Sequence, residues 1–397
     1  MEKTLLQINV TANWGSTGRI AEGIGIAAMA KGWNSYIAYG RYCNPSKSKL
    51  IKIGNKWNPY INYIEQRIFD NEGLGARMAT RKLVQQIDEI KPDIVQLHNM
   101  HDHYVNYKIL FEYLNKKNIP VVWTFHDCWA FTGHCFHFVT KKCNRWKKGC
   151  YDCPLHHCSP NTMLDCSKKH WNLKKKLFQG CKKLTIACCS QWMADFVNDS
   201  FLKDKRIEVF RNGIDLKVFK PSVGSATLAS KYRVLAVASV WDKDKGLNDI
   251  PKLRNLLSED FEIVLVGLKQ KQLKNLPIGV RGIQHTQNIQ EMVELYSSAN
   301  VFINPTYADT FPTVNLEALA SGTPVVTYRT GGSPEAVDEH TGIVVEQGNV
   351  EAMASAVETI CNKGKAAYTD ACRQRAVEHF NKDERFEDYI TLYDSLL

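Results

Sequence analysis

The chain alternates short apolar runs with longer amphipathic ones, and it does so twice. Residues 5–10, 35–39, 93–97, 121–125, 184–187 and 207–210 read as buried strands with helical patterns between them. The rhythm restarts at 233–237, 261–266, 280–283, 301–304, 325–326 and 343–345. Strands that alternate with helices pack as a parallel sheet covered on both faces. The expected class is therefore α/β, with two doubly wound Rossmann-like domains. At 397 residues the chain is long enough to give each a full core. The break is Arg211-Asn212-Gly213 through Pro221, where Asn-Gly and then Pro signal a turn. A first domain is expected over 1–221 and a second over 222–380. A terminal helix is expected over 381–397, and 222–230 reads as linker.

In open parallel sheets, ligands bind beyond the C-terminal ends of the strands. In the first domain that rule selects Gly15 and Gly18, which follow the first strand and precede a helix expected over 20–30. It also selects His98, and the pair His126-Asp127, each at the end of a later strand. In the second domain the loop Trp241-Asp242-Lys243-Asp244-Lys245-Gly246 follows a strand and precedes a helix, and strand 301–304 delivers Asp309. Between Asp309 and Glu317, Thr310-Phe311-Pro312 reads as a helix start, since proline suits the first helical position. The helix is expected over 313–321, closed by Gly322. The free N–H groups of Thr313 and Val314 at its start suit an anion such as a diphosphate. The carboxylates Asp309 and Glu317 suit sugar and ribose hydroxyls. A cation such as Lys245 offsets charge on a leaving diphosphate without a metal. Together these groups suit a nucleotide sugar.

Charge is unevenly spread. Residues 1–220 hold 34 Lys and Arg against 18 Asp and Glu, a net +16, and the remainder is −6. A basic half implies an anionic partner: a phospholipid surface, a pyrophosphate-linked acceptor or nucleic acid. No window is apolar enough to span a bilayer, and the first residues lack a signal-peptide pattern. A cytoplasmic protein is expected, on the inner face of the membrane if peripherally associated.

Residues 128–170 interrupt the rhythm with seven cysteines and five histidines. Cys135, Cys143, Cys150 and Cys153 follow C-x7-C-x6-C-x2-C, a set able to offer four thiolates to a structural zinc. Cys158 adds a further thiol, and an iron–sulfur cluster is the alternative. The segment is polar and Lys-rich enough to suggest that it needs such a staple.

The stretch Asp309 to Glu335 resembles the acid-x7-acid signature of retaining glycosyltransferases of family 4, which have the GT-B fold, two Rossmann-like domains facing across a cleft. Arg211–Pro221 resembles that family's interdomain crossing, and Lys245-Gly246 its diphosphate-binding lysine and glycine. The resemblance implies that Glu317 holds the ribose, Asp309 the donor sugar and Lys245 the diphosphate, with Lys243 in support and Gly15, Gly18, Trp241, Thr310 and Phe311 in the same donor site. Asp309 stands where the family usually has Glu, and Ser239-Val240 where it has an arginine. His126-Asp127 resembles the family's first-domain histidine region, with His126 near the anomeric centre and His98 and Asp127 on the acceptor side. The run from His126 to Cys135 resembles a bacterial polysaccharide-building subgroup. The implied activity is retaining transfer of a hexosyl or N-acetylhexosaminyl group from a UDP- or GDP-sugar to a glycan or lipid-linked hydroxyl. No cofactor is required for that chemistry, and no nucleic-acid partner is expected. Two alternatives remain at this point: a nucleotide-sugar epimerase of the same fold, and a basic, zinc-stapled nucleic-acid-binding protein.

Overall fold

The computed structural model describes residues 2–157, 161–222 and 231–397. Cys158 and all of the expected linker after Ser222 lie outside the described residues. The chain divides into two units, Met1–Phe210 with Phe386–Leu397, and Arg211–Arg385. The Arg211–Pro221 segment belongs to the second unit. There Ile214 bridges Asn381, and Arg373 donates to the carbonyls of Leu216 and Phe219.

The first unit holds β1 (Thr4–Asn9), β2 (Asn34–Tyr39), β3 (Lys49–Lys52), β4 (Ile94–Leu97), β5 (Val121–Phe125), β6 (Leu184–Cys188) and β7 (Arg206–Val209). They form one parallel sheet in the order β3-β2-β1-β4-β5-β6-β7. Strand β3 carries no apolar run, since its sequence is Lys-Leu-Ile-Lys and it lies at the sheet edge. Side chains of β1 alternate between faces, as a doubly covered strand requires. Leu6 and Ile8 pack with Val95, Leu97 and Phe125, whereas Leu5 packs with Ile94, Val122 and Tyr393. The helix after β1 begins at Gly15 rather than near residue 20, so the glycines lie in its first turn.

The chain's last helix, Lys382–Leu396, buries Tyr389, Ile390, Leu392 and Tyr393 in the first unit's second core cluster. Tyr393 also donates to Gln96 Oε1 at 2.9 Å.

The Cys-rich insert folds around rings. Phe131 and Phe138 lie 5.2 and 5.0 Å from Trp146, and Phe138 reaches Phe196 at 5.1 Å. Lys174 is fully buried beneath it, donating to Trp129 O at 2.7 Å, with its ammonium 3.5 Å from the Trp129 ring. These aromatic rings supply the insert with a core of its own.

The second unit holds β8 (Tyr232–Val237), β9 (Phe261–Val266), β10 (Val280–Ile283), β11 (Val301–Asn304), β12 (Val325–Tyr328) and β13 (Gly342–Val345). These too are all parallel, in the order β10-β9-β8-β11-β12-β13.

Truncating a fully buried aromatic costs about 3–5 kcal/mol. Tyr393→Ala is expected to lower the melting temperature of the first unit clearly, while Leu397→Ala, at an exposed position, leaves it unchanged. Equal melting curves for the two variants would contradict this role for the terminal helix.

Candidate functional site

In the second sheet the strand order reverses between β8 and β11, so the loops leaving these two strands lie side by side. This is the crevice that doubly wound sheets use for ligands. The loop after β8 is wound tightly by Asp242, whose Oδ1 accepts the N–H groups of Asp244 and Lys245 at 2.9 and 3.0 Å. Gly246 follows with φ +77°, and a Cβ there would stand 2.1 Å from Pro305 O. Tyr307 N donates to Asp244 O at 2.7 Å, joining this loop to the one after β11. Lys245 Nζ consequently lies 2.6 Å from Asp309 Oδ2. On the other side, Gly331 has φ +57°, and a Cβ there would overlap Asp309 O at 1.6 Å.

The helix after Asp309 runs Thr313–Ala320, with Pro312 as its N-cap, one residue before the expected first helical position. Thr313 and Val314 are half-buried at its start, and Glu317 is half-buried one turn on. Glu317 Oε2 accepts from Tyr296 OH at 2.7 Å. Burial and the Glu317 charge push the Tyr296 phenol well up, so it remains a donor. Under the helix, buried Asn315 joins Asn304 and Ser333 at 2.8 Å each, and Ser333 meets Thr327 at 2.6 Å. This polar chain fixes the Ser333–Ala336 turn, whose Glu335 pairs with Arg211 at 3.1 Å.

The structure brings Lys245, Asp309, Thr313, Val314 and Glu317 to one sheet edge, and it places the other expected donor-site residues differently. Trp241 is 3% exposed and donates to Val266 O at 2.8 Å. Phe311 is 2% exposed against Phe380. Both anchor their loops from inside. Thr310, next to Phe311, is buried, and Lys243 is exposed. Tyr296 and the Asn315 chain carry no sequence signal, because their partners are 11 to 21 residues away.

In the first unit, His98, His126 and Asp127 follow β4 and β5. Gln7 Nε2 donates to Ala21 O at 2.6 Å, which leaves Oε1 as its acceptor. His98 Nε2 must then donate to Gln7 Oε1 at 3.1 Å. Burial keeps His98 neutral, so its Nδ1 is an acceptor and His126 Nε2, 3.2 Å away, is the donor. Burial lowers both, Asp127 opposes the shift at His126, and His126 falls to about 4. Asp127 is occupied structurally: Oδ2 meets His101 Nε2 at 2.8 Å and Oδ1 accepts Trp129 N at 2.8 Å. His101 was invisible to spacing because it lies in the loop after β4, not at the strand's end. Gly18 packs the helix onto its own loop, since a Cβ would stand 2.7 Å from Thr11 Oγ1. Gly15, with φ +66°, has open space where a Cβ would be.

Among the described residues, no three of Cys135, Cys143, Cys150 and Cys153 hold their sulfurs mutually within 4.8 Å. Tetrahedral zinc at about 2.3 Å from each sulfur requires roughly 3.8 Å between them. Cys153 instead contacts Cys135 and His134, while Gly133 N donates to Cys150 Sγ at 3.1 Å. The group that does converge is Asp70, His134 and Asp165. Its carboxylates are already engaged: Asp70 by His134 Nδ1 and Cys166 N, Asp165 by Cys153 N and Ser167 N.

Two family models match the chain: "Glycosyltransferase Family 4" over residues 30–218 and "Glycosyl transferases group 1" over 231–363. A relative of Escherichia coli (strain K12), WcaC, named as a colanic acid biosynthesis glycosyl transferase, is 22% identical over 99% of this chain and 100% of its own. A capsular polysaccharide biosynthesis glycosyltransferase of Staphylococcus aureus, CapM, is 24% identical over 57% of this chain and 65% of its own. Among solved structures, sucrose-phosphate synthase from Thermosynechococcus elongatus superposes with TM-score 0.73 at 17% identity, covering 100% of this chain and 99% of that one. Anabaena HepE, solved with UDP-glucose, gives 0.65 at 13% identity, with 99% of each chain covered.

With a folded value near 4 against an ordinary 6.5, His126 binds its proton more weakly in the folded state than in the unfolded one. Its contribution to stability is complete above pH 6.5 and is lost as pH falls toward 4. Imidazole NMR should find His126 neutral at pH 6 with a midpoint near 4, and a midpoint at 6.5 would contradict the neutral chain. Tyr296→Phe frees Glu317 from its donor and is expected to raise donor KM several-fold with little change in kcat.

Proposed function

The chain belongs to the group 1 glycosyltransferases of family 4, with the GT-B fold, a retaining family that uses nucleotide sugars, and from that premise we propose how its residues divide the work. The second unit binds the donor. Glu317, aimed by Tyr296, takes the ribose hydroxyls, and Asp309 takes a hydroxyl of the donor sugar. Lys245 and the N–H groups of Thr313 and Val314 face the diphosphate. The observation that carries this reading is the 2.6 Å pair between Lys245 and Asp309, beside a helix start and at the reversal of strand order. A cation and a carboxylate are thereby held within reach of one small ligand that bears both phosphate and hydroxyls.

Retention without a protein nucleophile follows from front-face attack. The bond from the anomeric carbon to the diphosphate oxygen breaks, and the acceptor oxygen bonds to that carbon on the same face. The acceptor's proton passes to the departing phosphate. Lys245 stabilises the charge that develops there, a task for which a fixed cation needs no metal. His126 is a poor base at a value near 4, and a neutral imidazole suits contact with sugar hydroxyls. A UDP-sugar donor is supported by HepE, solved with UDP-glucose. A growing or lipid-linked surface glycan as acceptor is supported by the names of WcaC and CapM and by the basic first 220 residues.

A thermal-shift panel of UDP-, GDP-, ADP- and TDP-sugars tests the donor site, because a ligand of the folded state raises its melting temperature. One nucleotide class, expected to be UDP, should stabilise the wild type and lose its effect in Glu317→Ala. No shift from any of them would sink the assignment. The Lys245–Asp309 pair is half-exposed and contributes about 1 kcal/mol or less to stability. Lys245→Met is therefore expected to keep its melting temperature while losing on the order of 100-fold in kcat. An inverted product anomer would overturn the front-face step.

A further inference from the structure

The helix Asn58–Phe69 is inside out. Its buried positions are Pro59, Asn62 and Gln66. Its apolar residues face outward: Tyr60, Ile61, Ile64, Ile68 and Phe69, with Trp57 just before it, are 41% to 64% exposed. Tyr63 is also exposed. A helix that packs by the hydrophobic effect does the reverse, with its apolar stripe toward the core.

The inward polarity is built, not incidental. Asn62 donates to His103 O at 2.7 Å and accepts Ala76 N at 3.0 Å. Asp70 closes the helix at φ 48°, fully buried, holding His134 Nδ1 at 3.0 Å and Cys166 N at 2.6 Å. The helix is thus bolted down by hydrogen bonds through its polar face, which leaves the apolar face outward. The patch continues into the insert, where exposed Met163 and Leu164 are joined to the helix by Met163 N donating to Arg67 O at 2.8 Å.

Cations rim this surface. Lys56 lies 5.4 Å from the Trp57 ring and Arg67 6.0 Å from Tyr63. Arg41, Lys52 and Lys56 line a cavity of about 390 Å³ together with Tyr42, Trp57 and Tyr60. Glu65 is the helix's one carboxylate, and Asn71 holds it at 3.1 Å. Exposed Trp, Tyr and Ile with a basic border is the pattern of a helix that lies in the interface of an anionic bilayer. An apolar face of this extent on a chain's surface marks a place of attachment.

We propose that the outward face of helix Asn58–Phe69, extended by Met163 and Leu164, seats the first unit on an anionic phospholipid surface, with Lys56, Arg67 and the adjoining basic cavity meeting lipid phosphates. The proposal concerns the first unit alone and stands apart from the donor assignment, which is read in solution with free nucleotide sugars.

The test is co-sedimentation of the full chain with vesicles of phosphatidylcholine alone or with phosphatidylglycerol. Wild type is expected to pellet with the anionic vesicles and remain in solution with the neutral ones. Ile61→Ser/Ile64→Ser should abolish pelleting at an unchanged melting temperature, since both side chains are already exposed. Lys56→Glu/Arg67→Glu should weaken binding to the anionic vesicles by about tenfold or more. Wild type left in solution with anionic vesicles overturns the proposal, as does an Ile61→Ser/Ile64→Ser variant that pellets like wild type. A dimer in solution that this same variant disperses, without vesicle binding, overturns it in favour of a second copy on this face.

Discussion

Two contacts between main chains, each possible only without a side chain, govern the second unit's crevice. Gly246 lies on the carbonyl of Pro305 and Gly331 on that of Asp309. Between them they fix the segment that carries Asp309 from both sides. Neither contact is strong in itself, and both act by exclusion, because any Cβ would force a loop outward by an ångström or more. The Lys245–Asp309 distance, the start of helix Thr313–Ala320 and the reach of Glu317 all inherit their precision from that clamp. The half-exposed ion pair is a consequence of the geometry rather than its cause, since pairs of this kind contribute little to stability.

What could be read from the sequence follows a physical division. Strands covered on both faces announce themselves as apolar runs, and every strand with such a run was legible, with Ile303 and Val326 as clear as Leu6 and Ile8. Strand β3 was not, because an edge strand with Lys49 and Lys52 exposed has no apolar pattern to show. Lys245, Asp309 and Glu317 were legible because a helix start and the resemblance to a family signature mark them without knowledge of contacts. The fates of Trp241 and Phe311 were not. Whether an aromatic beside a site lines it or anchors it depends on which partner its ring and N–H find, here Val266 O and Phe380. Cys135, Cys143, Cys150 and Cys153 sit in a segment packed around Phe131, Phe138 and Trp146, and no spacing rule announces that packing.

The first unit's sheet edge works by a different economy, that of neutral groups. From Ala21 O through Gln7 and His98 to His126, each donor finds one acceptor and no net charge is needed. A buried charge without a partner costs several kcal/mol, so a neutral relay is the arrangement that a buried edge tolerates. Asp127 and His101 form the complementary case, an ionic couple whose carboxylate is further tied to Trp129 N. Side by side, the two arrangements keep His126 uncharged while its sequence neighbour is anchored.

The joint at Asp70 has a consequence for descent and for engineering. One carboxylate ends helix Asn58–Phe69 and receives both His134 and Cys166 from an insert more than sixty residues later. The two segments are therefore one structural unit, divided in the sequence and whole in the molecule. A chimera that borrows the insert without its helix, or the helix without its insert, leaves a carboxylate or an imidazole stranded in the interior. Related chains should accordingly gain or lose the two pieces together.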